Sequence, residues 1–431
     1  MANTNLVTMK KRNIMDMLFS NIVPILFGII IVLGLFVTGE SPILILNDIV
    51  QYSFRNAFLV LSLLIPILAG MGLNFSIVIG AMAGQIGVIM AVNWGMSGFS
   101  GFLAAVAFAT PFAILFGFLV GKLLNKAHGH EMIASIFVGY FANGVYQIIC
   151  LSLVGGLIPI DSSQMLLSSG IGLRNTIDLK GTLGSSVDGV FGGALQVPIF
   201  SFLIVCGMIL LAYNIYRLKN RESKQDRYKI TYTVIMTAVI TIVSALIMYT
   251  NALPIELTLL KNIKFSLMTG LLIGALVVFN LMFPRTKIGR QMQNLGHDHD
   301  SAEISGVPVA KARIMAIMIS IILASWGQII FLQNTGVLIT YGSHIQVGML
   351  PIVALLIGGA SIKKATVGQA LLGVVLLQGF HVIWPSFFNA LIGVENMNEP
   401  YRVIILNGVF LYAFVQVRSN GRVKSEINNA E

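Results

Sequence analysis

Charge is what this sequence has least of. Only 10% of its 431 residues are Asp, Glu, Lys or Arg, while 56% are hydrophobic and the mean hydropathy is +0.87. A soluble domain carries about 25% charged residues, and a water-facing surface depends on them. The shortage excludes an ordinary soluble enzyme, a disordered chain and a nucleic-acid-binding domain, and it makes lipid the natural solvent. Cysteine is scarce too. Cys150 and Cys206 both sit in apolar runs, with no metal-like spacing, and read as buried thiols. A nucleotide motif is also missing. The run Gly117–Lys122 is one residue short of a phosphate loop and lacks the Ser or Thr after the lysine. Any ATP that drives this protein is therefore bound by another chain. Charged residues are nearly absent from the span interiors, which argues against coupling to a proton or sodium gradient.

Long apolar runs lie at about 20–38, 55–72, 75–92, 101–124, 132–154, 196–216, 230–250, 265–284, 312–332, 346–361, 365–384 and 401–417. At about 20 residues per span, the chain is predicted to be an all-α, polytopic transmembrane helical bundle of about 10–12 spans. Lys and Arg, which favour the cytoplasmic side, test that count. With the N-terminus inside and the side flipped at every span, twenty-one of the 27 basic residues fall inside. Those outside are Arg55, Arg174, Lys180, Lys261, Lys264 and Arg402. Both termini are thus expected in the cytoplasm, and the net charge of +10 is a topology signal.

The N-terminal pattern of Lys10, Lys11 and Arg12 before an apolar run resembles a signal peptide. That run is too long for one, and 36–40 is a poor cleavage site, so it is read as a retained first span. The organisation is a cytoplasmic tail 1–19, a membrane domain 20–417 and a cytoplasmic tail 418–431. The gly-rich run 75–92, and the pair 346–361 and 365–384, are candidate re-entrant half-helices. Three loops stand out. Residues 155–195 lie outside as a prospective cap or helix, 217–229 form a basic cytoplasmic loop, and 285–311 form a polar, mildly amphipathic cytoplasmic loop broken at Pro308.

Several polar groups are candidates for chemistry. His297, Asp298, His299 and Asp300 have metal-ligand chemistry, but adjacent residues on a helix diverge, so a solvated loop is the reading taken. Glu131 opens a span, where a helix dipole favours an acid and Lys126 is a prospective partner. Asn74, Ser76 and Gln85 fall in a gly-punctuated run. Glycines four apart let helices approach closely, but amides in hydrocarbon need partners or a water-lined path, and interrupted helices often mark a transport site. Gly348 to Gly373 has the same character, with Trp326, Gln328, Gln333, Asn334, Gln378 and His381 nearby.

Four segments together resemble the permease subunit of an ATP-binding-cassette importer, in the branch serving simple sugars, nucleosides and branched-chain amino acids. Residues 288–307 resemble its cytoplasmic coupling loop. Gly348–Gly373 resembles its late gly-gly signature, Gly72–Gly87 its early glycine-leucine-asparagine stretch, and Lys126–Asn143 the segment that follows. Lys363 and Lys364 depart from the usual glycine-rich turn, Ser301-Ala302-Glu303 replaces a doubled alanine, and 155–250 is long.

The resemblance implies a permease of the cell membrane that works as a dimer with a second copy or a paralogue. Separate cassette ATPase subunits hold the ATP and Mg²⁺, and an extracytoplasmic solute-binding protein delivers a small polar solute, a simple sugar or nucleoside before an amino acid. It places Gly289, Arg290, Gly296, Ala302, Glu303 and Gly306 in the coupling loop. Asn74, Ser76, Gln85, Asn143, Gln328 and Asn334 are the expected pathway residues. No catalytic residue, metal site or bound cofactor is expected on this chain, and no nucleic-acid partner. Two rivals differ in class. A self-contained secondary transporter needs an intramembrane ionisable site, and a membrane enzyme needs Asp161, Asp178 and Asp188 to converge.

Overall fold

In lipid a backbone must satisfy its own hydrogen bonds, so apolar runs close into helices. The structure, a computed structural model, describes residues 22–412 apart from 128, 163, 188–195, 220–223, 250–260, 262, 298, 363, 394–397 and 410. In chain order the elements begin with α1 (Ile22–Val37), α2 (Pro42–Leu61), the short α3 (Leu64–Leu68), α4 (Ile77–Asn93), α5 (Gly98–Lys126) and α6 (Glu131–Ile148, prolonged by a π turn over Ile149–Leu153). Next come β1 (Thr176–Asp178), β2 (Gln196–Pro198), α7 (Ile199–Lys219), α8 (Lys224–Tyr249), β3 (Lys264–Ser266) and α9 (Leu267–Met282). The chain continues with α10 (Lys287–His297), α11 (His299–Ile304), α12 (Val309–Thr335), β4 (Val337–Ile339), α13 (Ser343–Ile357) and α14 (Val367–Ile392). A last helical stretch covers 398–409.

The fold is an all-α polytopic bundle. Among the described residues, six helices are long and apolar enough to cross a membrane, and four shorter apolar ones accompany them. Together they account for ten of the twelve predicted runs, and α2 and 398–409 stand for the other two. At the centre stands α12, with 61% of its span buried against 17% for that of α6. Its packing depends on small residues. A Cβ on Gly84 of α4 would lie 2.5 Å from the Ser325 carbonyl oxygen of α12, and one on Gly80 equally close to that of Ile321. Gly84→Val is therefore expected to force α4 and α12 apart, at about 1–3 kcal/mol for overpacking. A lowered melting temperature in detergent size-exclusion runs would show it; an unchanged one would contradict this packing.

Two expectations need correction. The second run was expected at 55–72, but α2 starts thirteen residues earlier, with Pro42 in its first turn as suits a helix start. Asn47, Asp48, Gln51 and Arg55 hid this helix from a hydropathy reading. Asn47, Gln51 and Arg55 line a polar cavity, so Arg55 lies well along the helix and not in the loop before it. Secondly, 346–361 and 365–384 are not a matched pair of half-helices. The first is a helix of 15 residues and the second a helix of 26. Gly358–Gly359 turns the chain between them, and a Thr366–Gln369 capping box starts α14. The run 75–92 forms one continuous helix, preceded by a non-helical segment.

Loop contacts agree with the sidedness read from charge. On the predicted outer side, β1 pairs with β4 and β2 with β3, both antiparallel. Ser386 also bonds Glu40 there. On the predicted inner side Gly296 meets Leu68 and Arg313 bonds Glu131. Each contact joins segments assigned to the same side. The outer loop 155–187 contains strand and turns and, among its described residues, no helix. It is a cap sewn to the bundle. The Ser185 N–H donates to the Gln333 carbonyl (2.8 Å), that of Leu179 to Gly336 (2.9 Å) and that of Leu173 to Cys150 (2.9 Å).

Candidate functional site

The inner face presents α10 and α11. The Thr286 hydroxyl accepts from the Gly289 N–H (3.0 Å), closing the first turn of α10. Gly289, Met292 and Leu295 recur at three-residue spacing and are buried. A Cβ on Gly289 would sit 1.8 Å from the Phe283 carbonyl oxygen, and one on Gly296 would sit 2.3 Å from that of Leu68. So α10 lies directly under α3 and the segment leading to α4. α11 ends in a Schellman turn. The Val307 N–H reaches the Ala302 carbonyl (3.1 Å), and the Gly306 N–H reaches Glu303 (2.9 Å). Gly306 takes φ +75°, which only glycine holds without strain.

That turn sorts the predicted coupling residues. Gly289 and Ala302 are buried in the bundle, and Gly296, though exposed on one side, lies against the Leu68 backbone, whereas Arg290, Glu303 and Gly306 are exposed. Beside them Ile304 is 88% exposed, an apolar side chain held out at the tip of a polar loop. Sequence reading passed it over, because nothing in its neighbours tells which side of so short a helix is covered. His297 closes α10, and Asp298, with the side chains of His299 and Asp300, falls outside the described residues. Among the described residues, no three His, Cys, Asp or Glu side chains converge.

From this loop a buried ion pair links the helices that enter the membrane. Pro308 precedes α12, and Arg313 in its second turn is buried against Glu131, the first residue of α6. Glu131 thus pairs with Arg313 and not with the expected Lys126. An ion pair out of water holds only when the partners are matched, and losing one member leaves a charge stranded.

Three turns further along α6, Asn143 meets a residue that sequence reading missed. His344, at the start of α13, is fully buried, with Nε2 2.7 Å from Asn143 Oδ1 and Nδ1 3.0 Å from Gln85 Oε1 of α4. A neutral imidazole has one N–H. Turning the Gln85 amide over lets its Nε2, otherwise without a partner, donate to Nδ1 while Nε2–H donates to Asn143. The Tyr146 ring closes on the imidazole edge-on at 4.9 Å. Beside this group, a cavity of about 360 Å³ opens between α4, α6 and α13.

Comparison with known proteins now bears on these features. The family described as branched-chain amino acid transport system / permease component matches residues 165–395, more than half of the chain. This chain belongs to that permease family. It is a multi-pass integral membrane protein and a membrane permease subunit. No curated protein and no solved structure matches it. The matched region of the permease includes α10, α11 and the α12–α14 core. The early likeness at 70–150 lies outside it.

The remaining expected pathway residues of the permease are dispersed. Asn74 Oδ1 accepts from the Ser76 N–H (3.1 Å) and from the Ser76 hydroxyl, forming a turn that starts α4. Phe75 between them donates its N–H to the Ser135 hydroxyl of α6 (3.1 Å). Gln328 is buried in α12 against Gly84, with both amide atoms lacking a protein partner. Asn334 lines a separate polar cavity of about 290 Å³ on the outer side, with Arg55, Gln51, Gln196 and Lys264. There the Arg55 guanidinium lies 4.4 Å from the Tyr52 ring centre and 5.3 Å from that of Phe331.

Proposed function

We propose that this permease is the membrane subunit of an ATP-binding-cassette importer. It passes a small polar solute, a simple sugar or nucleoside, by alternating access driven by separate ATPase subunits that bind ATP and Mg²⁺. A second permease copy or paralogue completes the pathway, and an extracytoplasmic binding protein delivers the solute. The observation that carries this reading is the inner face. α10 and α11 are packed against α3 and α12 while Glu303 and Ile304 project outward. An apolar anchor rimmed by polar residues is what a docking helix offers a partner groove.

Closure of the ATPase pair would press on α11. The push passes along α12 and through Arg313–Glu131 to α6, where Asn143 and the cavity lie. The outer cap, fastened to the end of α12, to β4 and to Cys150 after α6, closes the opposite side. Proteoliposomes holding the permease with the cassette ATPase and binding protein that copurify with it are expected to take up solute only when ATP is present. Uptake by the permease alone, without ATP, would favour a secondary transporter.

A further inference from the structure

We infer that the cavity between α4, α6 and α13 recognises the planar, nitrogen-containing ring of a nucleobase or nucleoside, and that Asn143, positioned by His344 and Gln85, reads the ring's edge. The inference rests on the importer reading above and narrows its solute.

The walls of the cavity decide between the two solute classes. Phe75, Val78, Ile136, Tyr140 and Met349 give it aromatic and aliphatic faces, and Asn143 is the amide on its lining. A hexose carries hydroxyls around its whole rim, and each one moved out of water needs a partner. This lining does not supply a ring of them. A heterocyclic base has two apolar faces and keeps its donors and acceptors in the plane, at the edge. Apolar walls with one polar corner suit that shape, and its faces stack on aromatic side chains. The volume of about 360 Å³ lies within the roughly 300–1,000 Å³ typical of small-molecule sites.

The corner is built, not incidental. Asn143 Oδ1 is occupied by His344 Nε2 at 2.7 Å, and the Gln147 amide approaches it at 3.4 Å. The Asn143 Nδ2 hydrogens donate to no atom among the described residues, which leaves them for a ring carbonyl or ring nitrogen. Behind the ring of His344, Gln85 fixes its orientation. A groove meant only for lipid tails would gain nothing from two fully buried polar side chains, Gln85 and His344, backing a half-buried asparagine, since polar groups in hydrocarbon are costly and kept for function.

The test is photolabelling of the purified permease by an azido-substituted purine nucleoside, without ATP, with the labelled peptides identified by mass spectrometry. Label is expected on 136–143 and 345–349. Adenosine or adenine should compete, and ribose and glucose should not. Competition by adenine as well as adenosine makes the base alone the determinant; competition by adenosine alone makes it the whole nucleoside. Asn143→Leu, which deletes the donor, should lower labelling by about tenfold or more. Met349→Trp, which fills the cavity from the α13 rim without touching the polar group, should do the same. If Asn143→Leu does not fold, Met349→Trp decides alone. Labelling elsewhere, equal competition by glucose, or undiminished labelling of a monodisperse Met349→Trp protein would overturn the assignment. Because ATP is left out, a permease that labels as expected but has no ATPase would retire the importer reading and keep this site.

Discussion

Ile304→Asp abolishes ATP-driven uptake while the permease stays folded in the membrane: this is the largest effect the structure predicts. Ile304 touches little of its own chain, so its replacement costs the fold almost nothing, as is usual for exposed positions. Its loss would fall on the partner. A central apolar anchor typically contributes about 2 kcal/mol or more to an interface, or roughly thirtyfold in affinity. A carboxylate buried in its place adds a desolvation penalty. The ATPase should leave the complex during purification, and uptake should fall to background. The pair Glu303→Ala with Gly306→Val attacks the same tip by another route, since a side chain at φ +75° breaks the turn that aims the helix. That double variant should also lose uptake and remain in the membrane. Normal uptake in either protein would remove the coupling role from α11.

The second large effect concerns Arg313 and Glu131. Side-chain exposure is 5% for the arginine and 14% for the glutamate, so removing one partner strands the other charge. Breaking such a pair costs about 3–5 kcal/mol. Arg313→Glu and Glu131→Arg should each lose most of their uptake, with reduced yield of monodisperse protein. The double swap restores opposite charges between α12 and α6, and it should recover both yield and a substantial part of uptake. Recovery of yield without any recovery of uptake would mean the pair merely holds the helices together. It would not then transmit movement from the coupling loop.

The topology was legible because membrane segments follow two simple rules. Long apolar runs become helices, and Lys and Arg collect on one side. Every loop-to-loop contact cited above joins segments that the charge count had put on the same face. Where a helix faces a polar cavity and not lipid, hydropathy loses it, which is why α2 was read thirteen residues late. The polar centre was half legible. Gln85 and Asn143 stood out as amides in apolar runs. His344 did not, because it precedes its apolar run and follows Gly342 and Ser343. Its partners lie 259 and 201 positions away, and periodicity carries no information over such separations. Asn74 and Ser76 drew notice as polar residues in a span, yet their geometry is that of a local turn. Ile304 shows the reverse case: an isoleucine is unremarkable until the fold leaves it uncovered.

The central claim is that this permease is moved by ATPase subunits seated on α10 and α11. The most direct measurement is purification of the tagged chain in mild detergent, with copurifying proteins identified and ATP hydrolysis assayed. The account predicts a stoichiometric cassette ATPase that is lost from the Ile304→Asp protein. A permease that purifies alone, and carries solute into liposomes without ATP, would contradict it.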